Sequence, residues 1–247
     1  MILLFTDFGL EGPYLGQVRA AMYRNAPNVP VINLMADVPP FEVRGSGYLL
    51  AALVPEFPEG SVFMAVVDPG VGSKRGAVVM EADGRWFVAP DNGLLDAVAR
   101  QSKKVRWWDI TWRPARLTST FHGRDLFAPV AARLGLGHSP EEIGCRPLAR
   151  GIPDVPADWP RIIYIDWFGN LMTGMRASRL SHEHVLSIGG YLLKRADTFS
   201  DVEEGEPFWY ENSIGLVEIA VNQDAADEIL ELDIGDPLEP QPVPHRR

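Results

Sequence analysis

The chain is predicted to be an α/β protein with a smaller, β-rich second domain. Three observations predict this class. Up to about residue 145, short apolar runs alternate with stretches in which apolar residues recur at the spacing of a helix. A proline-rich segment, which fits neither a strand nor a helix, comes next. Short predicted strands separated by Gly, Asn and Ser follow it. We expect an α/β domain over 1–150 with a Rossmann-like, mainly parallel sheet, a proline-rich linker over 151–160 and a β-barrel or sandwich over 161–247.

The elements of the first domain follow from the spacing of its apolar residues. Strands are predicted at 2–6, 29–34 and 62–67, and the last is apolar at every position, as a strand buried on both faces requires. The runs 77–81 and 86–90 are joined by turn residues, which predicts a β-hairpin. Apolar residues at helical spacing predict helices that begin near Tyr14, Tyr48, Leu94 and Leu126.

The predicted second domain consists mainly of short strands separated by turn residues. Strands are predicted within RIIYID, LMTGM, VLSIGGYLL, PFWYE and GLVEIAV, with one helix near 223–231. The tail DPLEPQPVPHRR contains four prolines and is expected to be loose.

Composition excludes several classes of protein. With 46% apolar and 23% charged residues the 247-residue chain is typical of a globular protein, and a net charge of −10 argues against binding to nucleic acid or anionic membranes. The single cysteine, Cys145, excludes an internal disulfide and a cysteine-based zinc cluster, and it suits a cytoplasmic location. MILLFTDFGL is expected to be a buried first strand and not a signal peptide, and no apolar run is long enough to cross a bilayer.

Polar residues follow three predicted strands and begin one predicted helix, where open α/β sheets hold their ligands. Asp7 directly follows the first strand, so it is a candidate for binding ribose hydroxyls or for capping a helix. Asp68 follows the strand at 62–67, and Arg75 is placed to fold back across glycines and pair with it, as a functional or a purely structural ion pair. A dinucleotide fingerprint is excluded there, because a strand and not a helix follows Gly70 and Gly72.

Two further segments of the first domain carry polar residues. Asp91 or Asn92 is expected to cap a helix that begins at Gly93. His122 stands beside a glycine at a predicted helix start and is a candidate proton carrier if it meets Asp68 and Arg75.

The second domain offers features that suit a nucleobase. Asp166 to Asn170 reads DWFGN, and a flat aromatic beside a carboxamide provides a stacking face and a donor–acceptor pair. Buried aromatics with turn asparagines are the alternative interpretation. His182 and His184 are interpreted as exposed turn residues, so no metal site is predicted.

Six strings, in order, carry a resemblance to a known family: TDFG, VVDPGVGSKRG, APDNGLL, TFHGRDLFAPVAA, DWFGNLMT and NSIGLVEIAV. Together they cover nearly the whole chain and resemble the S-adenosylmethionine hydrolases, or S-adenosyl-L-methionine hydroxide adenosyltransferases, which are related to fluorinase and chlorinase. The resemblance implies an N-terminal α/β domain, a C-terminal β-barrel, and a homotrimer whose active sites lie between one subunit's N-domain and its neighbour's C-domain.

The resemblance also implies roles for individual residues. The catalytic triad falls on Asp68, Arg75 and His122. The substrate-binding residues that match are Asp7, Asp68, Phe168, Asn170, Ser213, Glu218 and Val221. The chain departs from the family at Gly12, where an acidic residue is usual, although Glu11 lies beside it.

The implied reaction is attack of an activated water at C5' of S-adenosyl-L-methionine, which gives adenosine and L-methionine. Because the sulfonium is already a good leaving group, no metal and no cofactor are expected. Two alternatives remain: a noncatalytic sensor that binds an adenosyl ligand, and a halogenase of the same family.

Overall fold

The structure, a computed structural model, describes residues 1–242 and divides into two compact units between Val155 and Pro156. Each unit is built on its own sheet, so the described part of the chain has a mixed α/β fold with two sheets. The division falls inside the proline-rich segment 151–160. Residues 243–247, the end of the predicted second domain and of the tail expected to be loose, lie outside the described residues.

The sheet of the first unit runs in the order β2-β1-β3-β5-β4-β6-β7. Its strands are β1 (Ile2–Thr6), β2 (Val31–Met35), β3 (Val62–Val66), β4 (Ala77–Ala82), β5 (Arg85–Pro90), β6 (Val105–Ile110) and β7 (Cys145–Leu148).

Half of this sheet is parallel, so the expectation of a mainly parallel sheet is too simple. Strands β2, β1, β3 and β5 pair in parallel, whereas β4 pairs antiparallel with β5 and β6, and β7 with β6. The predicted hairpin is confirmed, and it is the point at which the sheet changes from parallel to antiparallel pairing. Asp83 and Gly84, both with positive φ, form the tight turn that joins β4 directly to β5. The later strands then add to the free edge of β4.

Helices pack on the sheet of the first unit. They are α1 (Tyr14–Asn25), α2 (Val43–Leu53), α3 (Asp96–Gln101), α4 (Ala128–Gly135) and α5 (Pro140–Ile143), with a π-helical turn at Gly123–Phe127 before α4. Helix α1 buries Val18, Ala21 and Met22, the apolar positions that predicted it. Helix α3 begins at Asp96, without a side-chain cap, so the prediction that Asp91 or Asn92 caps a helix from Gly93 is wrong.

Aromatic side chains fill part of the core of the first unit. Phe63 of β3 and Phe87 of β5 are fully buried, and their rings stack with centroids 5.0 Å apart. Phe57 packs against Phe63 edge to face at 5.6 Å. Since β3 and β5 are adjacent strands, this stack lies on one face of the parallel half of the sheet.

The second unit is a sheet of mainly antiparallel strands, in the order β14-β10-β11-β12-β13-β9-β8 and curled into a half-barrel. The strands are β8 (Trp159–Ile165), β9 (Leu171–Arg176), β10 (His184–Ile188), β11 (Tyr191–Arg195), β12 (Pro207–Glu211), β13 (Leu216–Val221) and β14 (Glu239–Pro242), and helix α6 (Ala226–Leu230) follows β13.

Part of the proline-rich tail is ordered by this sheet. β14 pairs with β10, which corrects the expectation that the whole tail is loose. An edge position tolerates Pro240 and Pro242, because one side of an edge strand needs no backbone donors. The amide of Leu238 also donates to the Pro160 carbonyl at 3.1 Å, so the segment before β14 bonds to β8.

Over residues 1–242, no helix is both long and apolar enough to cross a membrane.

The stacked pair predicts a large loss of stability on truncation. Phe63→Ala removes a fully buried ring, and we expect it to lower the free energy of unfolding by about 3 to 5 kcal/mol. The matched control is Phe41→Ala, because Phe41 is 75% exposed and its truncation should change stability by about 0.5 kcal/mol or less. Urea unfolding followed by circular dichroism measures both; equal effects would contradict this account of the core.

Candidate functional site

The carboxyl ends of β1 and β3 bring two acidic residues to one edge of the first sheet. Thr6 of β1 lies opposite Val66 of β3, so Asp7 and Asp68 follow neighbouring strand ends, and the Asp7 amide donates to the Val66 carbonyl at 3.3 Å. Burial raises the pKa of the Asp7 carboxyl, and the negative charge of Asp68 raises it further. The sequence therefore located both carboxylates correctly from strand pattern alone.

Asp68 and Arg75 form the predicted ion pair. The Arg75 Nε donates to Asp68 Oδ1 at 2.8 Å, a terminal nitrogen of the same guanidinium bonds to Oδ2, and the other terminal nitrogen donates to the Gly76 carbonyl at 2.6 Å. Both side chains are largely buried, at 5% and 12% exposure, and the guanidinium lies over the Phe127 ring at 5.4 Å. Removing one partner of such a pair leaves a buried charge uncompensated, at a cost of about 3 to 5 kcal/mol.

Gly72 lets the loop between these two residues fold tightly. Its φ is +81°, and a Cβ there would lie 2.4 Å from the carbonyl oxygen of Ser119. Close approach of two backbone segments and a left-handed conformation both require glycine here. The loop is thereby held against the segment that leads to His122.

His122 meets Arg75 in a small pocket. Both residues line a cavity of about 290 Å³ whose wall also includes Ser73, Arg113 and Ser119. The pKa of the His122 imidazole lies below its usual value, first because of burial and then because of the Arg75 charge, while Asp68 opposes the shift. The His122 side chain makes no hydrogen bond within residues 1–242, and the lowered pKa favours its neutral form in the pocket that it lines.

Arg113 is a pocket residue that the sequence interpretation missed. Its guanidinium donates to the Trp112 carbonyl at 2.8 Å and to that of Ile110, and within residues 1–242 it has no carboxylate partner. Its positive charge also lowers the pKa of His122. A lone arginine in a loop carries no sequence signal, because only the folded loop places it beside His122.

Asp91 and Asn92 act as structural residues in a way that was not predicted. The Asn92 side-chain amide donates to the Val67 carbonyl at 2.8 Å, and its oxygen accepts from the Leu94 amide at 3.2 Å. Asp91 pairs with Arg150 at 2.8 Å. Asn92 therefore fixes the strand end that carries Asp68.

In the second unit, the turn between β8 and β9 is fixed by Asp166. Its carboxylate accepts from the amides of Phe168 and Asn170 at 2.8 and 2.9 Å, and from the Asn170 side chain at 3.0 Å. Gly169 has a φ of +79°, and a Cβ there would lie 2.7 Å from that of Ala225. The turn therefore holds the Asn170 side chain and leaves Phe168 73% exposed.

Four of the predicted substrate-binding residues share one cavity of the second unit. Phe168, Asn170, Glu218 and Val221 line a cavity of about 770 Å³, together with two aromatic residues that were not predicted, Phe199 and Tyr210. Ser213 is exposed on the loop between β12 and β13 and does not line this cavity.

Glu218 is a buried carboxylate with two hydrogen-bond donors. It is 2% exposed, accepts from Asn212 Nδ2 at 2.6 Å and from the Tyr210 hydroxyl, and lies directly opposite Tyr210 in the β12–β13 pairing. Burial raises the pKa of the Glu218 carboxyl, and burial together with the hydrogen bond to Glu218 raises that of Tyr210. The cross-strand pair could have been found from the sequence only with the strand register known.

The structure also shows where the other residues singled out in the sequence lie. His182 is an exposed turn residue, as expected, whereas His184 is the half-buried first residue of β10, and its Nδ1 accepts from the Ser181 amide at 3.0 Å. Glu11 and Gly12 are both exposed on the loop after β1, and Gly12 has a φ of +94°.

Fold and site together define a class of protein. An α/β unit with a carboxylate–guanidinium pair after a strand end, and an imidazole in the same pocket as the guanidinium, is typical of an enzyme. An aromatic cavity with carboxamide and carboxylate groups suits a small polar ligand with a flat ring.

Comparison with known proteins identifies the family. Residues 2–144 match the model of the SAM hydroxide adenosyltransferase N-terminal domain, and 160–239 match that of its C-terminal domain. The chain therefore belongs to the SAM hydroxide adenosyltransferase family, and it is an enzyme.

Individual relatives match over nearly their whole length. The (R)-S-adenosyl-L-methionine hydrolase of Thermus thermophilus is 38% identical, over 96% of this chain and 98% of the relative. The protein of the same name from Salinispora arenicola is 35% identical, over 94% of both. The crystal structure of an uncharacterized conserved protein from Thermotoga maritima superposes with a TM-score of 0.88 at 33% identity, and the match covers 98% of this chain and 100% of that one.

The pocket electrostatics predict the behaviour of His122. Replacing Arg113 by Gln removes a positive charge that disfavours the imidazolium, so the pKa of His122 should rise toward its usual value. Arg113→Lys keeps the charge and should leave the pKa close to that of the wild type. NMR titration of the histidine ring protons measures both, and an unchanged pKa in Arg113→Gln would show that Arg113 does not act on His122.

Proposed function

We propose that the protein hydrolyses S-adenosyl-L-methionine to adenosine and L-methionine. The observation that carries this is the cluster of Asp68, Arg75 and His122 in the first unit, together with membership of a family whose relatives bear the hydrolase name. The same three residues stand out from strand pattern and from family resemblance. No step of the proposed reaction requires a metal or a cofactor.

The reaction needs one water placed in line with the C5'–S bond. The water oxygen bonds to C5', the C5'–S electron pair leaves with sulfur, and the sulfonium becomes the neutral thioether of methionine. One proton leaves the water as its oxygen becomes the 5'-hydroxyl of adenosine. Positioning of the water supplies much of the rate enhancement. In the transition state the partial negative charge on the attacking oxygen and the positive charge on sulfur cancel, and a site with little water favours such a loss of charge.

We assign the proton acceptor to His122. Both carboxylate oxygens of Asp68 already accept bonds from Arg75, whereas the neutral His122 ring has no partner in the described structure. A base must be unprotonated at working pH, and the lowered pKa of His122 provides this near neutrality. Asp68, held in place by Arg75, orients the water through its remaining lone pairs.

The adenosyl group is assigned to residues of both units. Asp7 binds the ribose hydroxyls beside Asp68. Phe168 supplies the stacking face, and Asn170, Glu218 and Val221 contact the adenosine from the cavity they share. Ser213, which the family resemblance adds, contacts it from the neighbouring loop.

The proposal includes the assembly and the location. We assign the first unit to a Rossmann-like catalytic domain over 1–150 and the second to a β-barrel over 161–247, joined by a linker over 151–160. The active protein is a homotrimer in the cytoplasm, and each site is shared between one subunit's first domain and its neighbour's second domain.

Burial raises the pKa of the Cys145 thiol to about 12, which supports a structural and unreactive cysteine.

A neutral base favours water over a halide as the nucleophile. A halide carries no proton, so a halogenase has no use for His122 in this pocket. A noncatalytic sensor likewise has no use for a base beside the reacting carbon. The imidazole of His122 beside the Asp68–Arg75 pair therefore supports hydrolysis over both alternatives.

Loss of the base should abolish turnover. With purified protein in chloride-free buffer, His122→Ala should lower kcat by about 10²–10⁴-fold, because the water then loses its proton acceptor. The matched control is His138→Ala, an exposed histidine of the same unit, which should keep wild-type activity. Chromatography of adenosine and methionine measures both, and ligand binding without product in the wild type would favour the sensor.

The shared site predicts complementation between inactive subunits. His122→Ala and Asn170→Ala each inactivate a different half of the site, so mixed trimers contain some sites that are wholly wild type. For equal, random mixing we expect about one quarter of wild-type activity, while either variant alone stays inactive. Mixtures that remain inactive after demonstrated subunit exchange would contradict a site shared between subunits.

A further inference from the structure

The cavity of the second unit has a hydroxyl whose proton is already committed. Tyr210 and Glu218 face each other across the β12–β13 ladder, and the Tyr210 hydroxyl is bonded to Glu218 Oε1. Both residues line the cavity. The direction of this hydrogen bond decides whether the cavity can offer a donor or an acceptor at that point.

Asn212 fixes that direction. Its side-chain oxygen accepts from the amides of Ile214 and Leu216 at 3.1 and 2.9 Å, so its amide nitrogen is the atom that faces Glu218. That nitrogen donates to Glu218 Oε2 at 2.6 Å. Glu218 thus acts as an acceptor on one oxygen, and as a carboxylate it must also accept on the other, where the Tyr210 O–H points.

Tyr210 therefore has only acceptor capacity left for a ligand. A phenol has one proton, and it is used by Glu218, so the remaining lone pair of the hydroxyl oxygen is what the cavity presents. The carboxylates of Asp166 and Asp224 add further acceptors to the wall. The side-chain amides of Asn170 and Asn222 each use one of their two N–H bonds within the protein, on Asp166 and, at 2.9 Å, on the Val202 carbonyl.

We propose that Tyr210 is a specificity-determining residue that selects a 6-aminopurine over a 6-oxopurine; this rests on the proposed function, because it takes the cavity to hold the purine. The exocyclic amino group of adenine donates to the Tyr210 oxygen. A carbonyl at the same ring position would place two acceptors against each other. Glu218 is a positioning residue in this step, since it acts by holding the Tyr210 proton away from the ligand.

Replacing Glu218 by Gln is expected to reverse the direction of its hydrogen bond with Tyr210. In Glu218→Gln the Asn212 nitrogen still requires an acceptor, so the new side-chain oxygen turns toward Asn212 and the new NH₂ group toward Tyr210. The NH₂ group then donates to the Tyr210 oxygen, and the Tyr210 proton is free to point into the cavity. The cavity would gain a donor at the position where it had an acceptor.

The experiment compares adenosine and inosine, which differ in the amino or oxo group at ring position 6 and in the proton that inosine carries on N1. Calorimetry on the full-length protein should show adenosine binding about tenfold or more tighter than inosine. In Tyr210→Phe the ratio should fall to about threefold or less, mainly through weaker adenosine binding. In Glu218→Gln the preference should be reversed in favour of inosine. Tyr191→Phe, which removes a hydroxyl outside the cavity, should keep the wild-type ratio.

The outcomes separate this inference from the proposed function. If the wild type hydrolyses S-adenosylmethionine and binds adenosine, but folded Tyr210→Phe and Glu218→Gln keep the wild-type ratio, Tyr210 does not select the base and the hydrolase assignment stands. If the wild type neither hydrolyses S-adenosylmethionine nor binds either nucleoside, both proposals are wrong. Melting temperatures confirm that each variant is folded, and because the readout is a ratio of two ligands on one protein, a general loss of stability does not change it.

Discussion

The ion pair of Asp68 and Arg75 is the interaction on which the site of the first unit depends. It closes a loop of six residues, 69–74, and it ties the end of a buried strand to the start of the hairpin that follows. Gly72 permits the fold of this loop and its approach to Ser119, so the pair also sets the distance to the segment that leads to His122. One bidentate contact thus orients an acid, a cation and, indirectly, a base. The same contact gives each carboxylate oxygen of Asp68 one donor, while the His122 side chain has no hydrogen-bond partner within residues 1–242.

Much of the first unit could be predicted from the sequence because its signals are local. The strand β3 is apolar throughout because it is buried on both faces, and the Asp83–Gly84 turn predicts a hairpin. The buried residues of α1 recur at helical spacing, which predicts that helix. Asp68 was singled out because it follows such a strand, Arg75 because a glycine-rich loop can return it to Asp68, and His122 because it stands at a predicted helix start. Beyond the predicted hairpin, the antiparallel addition of β6 and β7 was not expected, because the order in which strands pair is decided by contacts distant in sequence and not by any one segment.

The errors near Asn92 and in the tail have a common physical origin. Asn92 is a good capping residue by type, yet its side chain is taken by the carbonyl of Val67, and that contact is invisible in the sequence. The tail contains prolines that discourage a strand, yet an edge position in the sheet accepts Glu239–Pro242. In both cases a partner far along the chain overrules the local preference. Arg113 and Tyr210 were missed for another reason, because the shape of a loop and the register of a hairpin decide where their side chains lie.

The buried carboxylate of Glu218 has a consequence for how this protein can change over evolutionary time. Its charge is tolerated in the second unit because Tyr210 and Asn212 both donate to it, and Asn212 in turn holds the backbone of the following loop. An apolar residue at any one of the three positions leaves a buried donor or acceptor without its partner, so such single substitutions pass through a less stable intermediate. The exchange of Glu218 for Gln is the exception, because it keeps a partner for both neighbours, so a descendant with a new ligand would be expected to arise through that position first.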